Sequence, residues 1–210
     1  GETLEVVKAR ELMNWITDAA WHCADPGMQF DTTINDWHTC PNSGRIDASN
    51  PCVEYMHLND SACNLASLNL MKFLVKFHDR DYRFDIDQFK KAVATMILAQ
   101  EIIVGNSSYP TKKITKNAID FRQLGLGYAN LGSLLMNLGL AYDSDLGRAM
   151  AGALTSIMCG EAYRMSAEIA TVTGPFAGYA LNQEPMLNII EKHGLAAENL
   201  AKNIPKNHDQ

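Results

Sequence analysis

Apolar positions recur at helical spacing over residues 3–23, where Leu4, Val7, Leu12, Trp15, Ile16 and Ala19 alternate with charged and polar positions. That pattern predicts an amphipathic helix. Asp25-Pro26-Gly27 ends it, because Pro and Gly both disfavour helix continuation. The periodicity then disappears. Residues 25–60 are rich in Asp, Asn, Thr, Ser, Pro, His and Cys, yet Phe30, Ile34, Trp37, Ile46, Tyr55 and Met56 are scattered through them and require burial. A non-periodic stretch of this length that still carries large apolar side chains is expected to line a site rather than to be disordered.

Regular pattern returns further on. Residues 61–70 read as a short buried strand and 71–77 as a turn or short helix. Asp85 or Asp87 is placed to cap a long helix running to about Gly105. Residues 121–138 are punctuated by glycine but read as helical through Leu124, Leu126, Tyr128, Leu131, Leu134, Leu135 and Leu138. Asp143 or Ser144 caps a further long helix to about Thr171, which Thr173-Gly174-Pro175 ends, and residues 184–193 form a last helix. No repeat or low-complexity segment is present. Long helices with a few short strands predict a helix-rich α/β fold.

Composition narrows the function classes. The chain has 210 residues, of which 47% are hydrophobic and 20% charged, enough for an ordinary core. The net charge is -6 with no basic stripe, which argues against nucleic acid as a partner. A nucleotide remains a possible substrate, since helix-start N–H groups hold phosphates without raising net charge. No apolar run is long enough to cross a membrane and the first residues carry no secretory pattern. Five cysteines, an odd number, argue against a disulfide scaffold and for a reducing compartment, with cytoplasm as the expectation. The lack of an initiator Met and the polar last residues suggest a piece of a longer protein.

The most informative stretch is Asn50-Pro51-Cys52-Val53-Glu54. Pro51 excludes helix and biases Asn50 towards an extended backbone. In such a backbone Asn50, Cys52 and Glu54 project to one side, offering an amide, a thiol and a base to a shared ligand. The bland alternative is a simple turn with a small buried thiol. Cys63, eleven residues on, is either a core thiol on a strand or a second redox sulfur at the same cavity. A zinc site built from His38, Cys40, Cys52, His57 and Cys63 lacks the short Cys-x₂₋₄-Cys pair of structural zinc and is disfavoured. Cys23 and Cys159 fall in helical patterns and read as structural.

Residues 25–46, from Asp25-Pro26-Gly27-Met28 through Trp37-His38-Thr39-Cys40-Pro41-Asn42-Ser43-Gly44-Arg45-Ile46, resemble the centre of class II ribonucleotide reductases, as do Ser49-Asn50-Pro51-Cys52-Val53-Glu54-Tyr55 and Ser61-Ala62-Cys63-Asn64-Leu65-Ala66-Ser67-Leu68-Asn69-Leu70. Arg122-Gln123-Leu124-Gly125-Leu126-Gly127-Tyr128 is similar to a Gly-rich helix start in the same enzymes. The resemblance covers most of the chain and is strongest over residues 21–75.

The resemblance implies part of a ten-stranded α/β barrel, with residues 1–210 as a single partial catalytic domain and a central finger loop at about 46–60. It implies that adenosylcobalamin generates a thiyl radical on Cys52, that Glu54 takes the 3′-hydroxyl proton, that Asn50 binds the ribose hydroxyls, and that Cys63 is one half of a redox pair. The substrate would be a ribonucleotide, di- or triphosphate, and the reductant a thioredoxin-like protein or a dithiol. Two features depart from the pattern: neither Cys23 nor Cys40 matches the expected partner of Cys63, and the allosteric, phosphate-binding and C-terminal cysteine segments are missing. The chain is therefore expected to be inactive alone and to need the rest of the barrel or a homo-oligomer. The alternatives are the large subunit of a class I reductase and an inert piece that assembles through an open sheet edge.

Overall fold

The structure, a computed structural model, describes residues 3–76 and 82–204. The last position of the turn expected at 71–77 and the polar stretch 205–210 lie outside them. The chain forms two compact units. The first takes in residues 1–38 and 45–59, and the second residues 39–44 and 60–210.

The first unit contains helix α1 (Ala9–Cys23) and the short helix α2 (Asp31–Asp36). The helix expected from residue 3 starts six residues later. Its N-cap, Lys8, supplies no side-chain hydrogen bond, and residues 3–7 bring no partner for the orphan N–H groups of a first turn. No residue of α1 is buried; Trp15 and Trp21 are exposed. The non-periodic stretch 45–59 is fastened back onto α2. Asn35 Nδ2 donates to the Ile46 carbonyl and the Ile46 N–H donates to Asn35 Oδ1, both at 3.1 Å. Arg45 pairs with Asp31, Gln29 bonds Ser49, and Asn59 Nδ2 donates to Asp47 at 2.7 Å. Of the scattered apolar side chains only Ile46 is fully buried; Phe30 and Trp37 stay exposed.

The second unit is built on a parallel pair of strands. β1 (Asn64–Asn69) lies beside β4 (Leu124–Ala129), with Leu65 opposite Gly125 and Ser67 opposite Gly127. Between them the chain makes an antiparallel pair, β2 (Leu74–Lys76) and β3 (Tyr82–Phe84), and then helices α3 (Ile86–Asn106) and α4 (Lys112–Phe121). Helices α5 (Leu131–Asn137), α6 (Asp145–Thr173) and α7 (Tyr179–Lys202) follow. Among the described residues these four strands form two separate pairs and no closed barrel.

Residues 124–129 correct the reading of 121–138 as one helix. Leu124, Leu126 and Tyr128 alternate with glycine, a period of two, and pack on the core, whereas Leu131, Leu134, Leu135 and Leu138 belong to α5 and its cap. Arg122-Gln123 precedes a strand and not a helix start. Helix α4 has no counterpart in the sequence reading, although Thr111 caps it by accepting from the Ile114 N–H. The caps of the long helices are as expected: Asp85 accepts from the Gln88 N–H and Ser144 from the Gly147 N–H.

Helix α3 buries Phe89, Val93, Ile97, Gln100 and Val104 along one stripe. Of these, Phe89, Val93 and Ile97 meet Leu68, Leu70, Leu134 and Leu154 in a single apolar cluster, edged by Phe73 and Phe84. The Phe73, Phe84 and Phe89 rings contact one another with centroids 5.2–5.9 Å apart, and each such pair adds about 0.5–1.5 kcal/mol to the area it buries. The opposite face of the β1–β4 pair bears Leu65, Ser67 and Asn69 and is exposed.

Helix α7 is longer at both ends than residues 184–193, and Pro185 sits inside it. A helix-interior proline leaves the carbonyl four residues earlier without its usual donor. Here that carbonyl, of Leu181, accepts instead from Asn42 Nδ2 at 2.8 Å. The buried Asn182 completes the join: its Oδ1 accepts from the Asn42 N–H and its Nδ2 donates to Ser43 and to the Gly178 carbonyl.

Among the described residues of this unit, Glu161 on α6 is the buried carboxylate. Arg164 donates to it at 2.7 Å and Lys90 of α3 lies 3.8 Å away. The Arg164 hydrogen bonds hold its carboxyl below the usual glutamate range. Glu161→Gln is expected to lower unfolding stability at neutral pH by about 1–3 kcal/mol. Because the folded pKa is depressed, that contribution exists above the ordinary glutamate pKa and disappears as pH falls through the lowered value. Denaturant titrations of both proteins at pH 7 and pH 3 check this, with the difference expected to close at the acid end.

Candidate active site

Asn50-Pro51-Cys52-Val53 is a tight turn. The Val53 N–H donates to the Asn50 carbonyl at 3.0 Å. Pro51 suits the second position of such a turn, where its ring presets the required φ. Val53 has φ +67°, in the left-handed region. An antiparallel bridge between Ser49 and Met56 closes the turn into a small hairpin.

This geometry corrects the extended arrangement expected for residues 50–54. A turn removes the alternation that would have sent Asn50, Cys52 and Glu54 to one side, and the dipeptide preference at Asn50-Pro51 yields to the hydrogen bond across the turn. Cys52 and Glu54 are exposed at and just beyond the tip, and Asn50 is half-buried. The Asn50 Oδ1 accepts from the Tyr55 N–H at 2.9 Å, so the amide first stabilises its own loop. Of the bland alternative, the turn is present but the buried thiol is not: Cys52 is exposed and nothing in the hairpin folds over it.

The hairpin rests on its own unit. A side chain at Gly27 would place its Cβ 2.6 Å from the Val53 Cγ2, so glycine lets Val53 pack there. On the returning limb, His57 stacks on Tyr55 (centroids 6.3 Å) and meets the buried His38 edge to face at 5.7 Å. Burial, helped by the charge of a protonated His38, pushes the His57 pKa down to about 4.

Cys63 lies in the second unit, immediately before β1, and is half-buried. Its thiol is 3.5 Å from the Asn64 carbonyl. A Cβ at Gly125 would fall 2.9 Å from the Cys63 Sγ, so the bare backbone of β4 makes room for the sulfur on the open face of the sheet.

Cys40 and Cys159 are shielded, whereas Cys23 is exposed. Cys40 is 2% exposed and burial pushes its thiol pKa up, against a smaller opposite effect of the Thr39 hydroxyl. Burial also raises that of Cys159 on α6. Cys23, exposed, donates to the Ala19 carbonyl at 3.2 Å. Among the described residues no three His, Cys, Asp or Glu side chains are grouped to hold a metal ion. Asn35, His38, His57 and Gly125 were not singled out for the roles they have here. Each acts on a partner 11 or more residues away in sequence, and nothing in its local pattern signals that partner.

The family described as "Ribonucleotide reductase, barrel domain" matches residues 1–208. A vitamin B12-dependent ribonucleotide reductase of Rhodopirellula baltica is 54% identical over 197 residues, covering 94% of this chain and 19% of the relative. One from Streptomyces coelicolor is 55% identical over 193 residues, covering 92% and 20%. A vitamin B12-dependent ribonucleoside-diphosphate reductase of Mycobacterium tuberculosis is 32% identical over 179 residues, covering 85% and 25%. The chain belongs to the ribonucleotide reductase family, within its barrel domain, and the relatives it resembles are those that depend on vitamin B12. It spans about a fifth of their length.

The His38–His57 contact makes the first unit acid-sensitive. Between the ordinary histidine pKa of 6.5 and the folded value of about 4, the opened chain binds a proton at His57 that the folded chain does not. Stability of the unit is therefore expected to fall as pH drops through this window, by up to about 3 kcal/mol at its lower end. Amide exchange of residues 45–59 at pH 7 and pH 4.5, corrected for intrinsic rates, tests this. His57→Gln is expected to flatten the difference.

Proposed function

We propose that this chain carries the radical loop and one redox cysteine of an adenosylcobalamin-dependent ribonucleotide reductase, which converts ribonucleotides to 2′-deoxyribonucleotides for DNA synthesis and repair. The observation that carries the reading is the exposed Cys52 thiol at the tip of a hydrogen-bonded turn, in a chain of this family. In the proposed whole protein the hairpin is the finger loop at the centre of a ten-stranded barrel, of which β1 and β4 are two neighbouring strands. The open face of that pair, bearing Cys63 and narrowed by no side chain at Gly125, faces the barrel interior. The protein works in the cytoplasm.

The exposure of Cys52 suits the cofactor. A thiol that must meet a large corrin ring has to project clear of its own side chains, as Cys52 does. When bound, adenosylcobalamin would supply the radical chemistry that converts the Cys52 thiol to a thiyl radical. The Cys52 sulfur then abstracts the 3′-hydrogen of the ribose, regenerating S–H and leaving the radical on C3′. The Glu54 carboxylate accepts the 3′-hydroxyl proton. The 2′-hydroxyl leaves as water with a proton from Cys63, and Asn50 orients the ribose hydroxyls through its Nδ2 donors. Two electrons come from Cys63 and a partner thiol, which end as a disulfide, while Glu54 returns its proton to the 3′-oxygen and the Cys52 S–H returns its hydrogen atom to C3′. A thioredoxin-like protein or a small dithiol restores the pair.

Two substitutions in the intact enzyme test the assignment. Cys52→Ser is expected to lower turnover at least about 10³-fold while nucleotide binding, measured by equilibrium dialysis, stays within about twofold, since the thiol acts only in the transition state. Cys63→Ser is expected to allow radical formation, seen by electron paramagnetic resonance, and to block multiple turnover. Sustained turnover by either variant would remove the residue from its role.

A further inference from the structure

The Cys52 hairpin is held on both of its limbs. Within the first unit, helix α2 and the residues just after it touch both limbs. On the entering limb, Asn35 makes a two-way bond with the Ile46 backbone: Nδ2 to the carbonyl and Oδ1 from the N–H, each at 3.1 Å. One side-chain amide thus takes the place of a neighbouring strand at Ile46, which is 4% exposed. The Asn35 amide is oriented in turn by Asp31, whose carbonyl and carboxylate both accept from Nδ2 at 3.1 Å. Arg45, next to Ile46, pairs with the same Asp31 carboxylate. On the returning limb, His38, two residues past the end of α2 and 4% exposed, meets the His57 ring at 5.7 Å. Between these two grips lie the Ser49–Met56 bridge and the turn that bears Cys52.

We infer that α2 is the clamp that sets the position of the Cys52 hairpin, with Asn35 as the positioning residue on which it depends. Asn35 touches neither thiol nor substrate; it acts through the backbone of Ile46. The inference rests on the reading of Cys52 as the radical residue, and it adds the element that fixes where the Cys52 sulfur can reach. A side-chain amide satisfies the backbone donor and acceptor of one residue at once, which neither alanine nor aspartate can do. Asn35→Asp keeps the acceptor for the Ile46 N–H but loses the donor to its carbonyl, and sets a second carboxylate beside Asp31.

The test uses the intact enzyme as wild type and as Asn35→Ala, Asn35→Asp and Glu161→Gln, the last a comparator that loosens the other unit. Amide exchange by mass spectrometry is expected to quicken at residues 45–59 in Asn35→Ala by roughly 10-fold or more while the rest of the chain keeps its protection. Asn35→Asp is expected to fall between wild type and Asn35→Ala. In steady state, kcat is expected to fall about 10- to 100-fold, because a displaced sulfur misses its hydrogen atom, with KM for the ribonucleotide within about threefold. Glu161→Gln is expected to keep kcat below its melting range. Unchanged exchange at 45–59 in Asn35→Ala overturns the clamp. Faster exchange there with kcat intact overturns its part in the reaction and leaves Asn35 a structural residue. A Cys52→Ser enzyme that turns over would instead overturn the radical assignment, and the exchange result would still decide the clamp.

Discussion

Gln100, 1% exposed in the C-terminal third of α3, donates through Nε2 to two carbonyls at once: Asn64 at the start of β1 (3.1 Å) and Gly125 in β4 (2.9 Å). Asn64 returns a bond from Nδ2 to the Gln100 carbonyl at 3.3 Å. The paired residues Asn64–Leu124 and Leu65–Gly125 are 60 positions apart in the chain, and loop-closure entropy opposes their meeting. An amide buried with the apolar stripe of α3 turns that cost into a specific register, because only one alignment puts both carbonyls before the same Nε2. Leu65 falls opposite Gly125 in that register, and the sulfur of Cys63 comes to lie beside bare backbone.

Much of the second unit was legible. Long helices announce themselves by caps and stripes, and Asp85, Ser144 and Gly174 stand where the sequence places starts and stops. The failure at 121–138 has a definite cause. A strand packed on one face with glycine on the other shows only three apolar positions, and a following helix that begins two residues later absorbs them into its own pattern. α4 escaped because its apolar stripe is thin, with Ala118 as its buried residue. Pro185 hid the first turns of α7, since no local rule says that a distant asparagine will use the carbonyl a proline leaves without a donor.

At the site, the residue types were readable and their arrangement was not. Asn50, Cys52, Glu54 and Cys63 can be picked out from chemistry and resemblance, but the dipeptide preference that suggested an extended backbone is worth less than a closed hydrogen bond across the turn. Contacts that shape the hairpin come from positions with no distinctive composition, such as Asn35 and Gly27, and depend on a fold that one sequence does not display. The division is physical: reactive groups are identified by what they are, supporting groups by where they end up.

Val53 illustrates how far that division goes. A branched side chain in left-handed backbone is disfavoured by about 1–3 kcal/mol relative to its relaxed state, so residues 50–56 in isolation would not keep this bend. The shape of the loop is borrowed from the groove that Gly27 leaves open and from the bridge at Ser49 and Met56. A peptide cut from the loop would therefore carry the right functional groups in the wrong curve, and a scaffold meant to host this chemistry would have to import the cradle along with the cysteine.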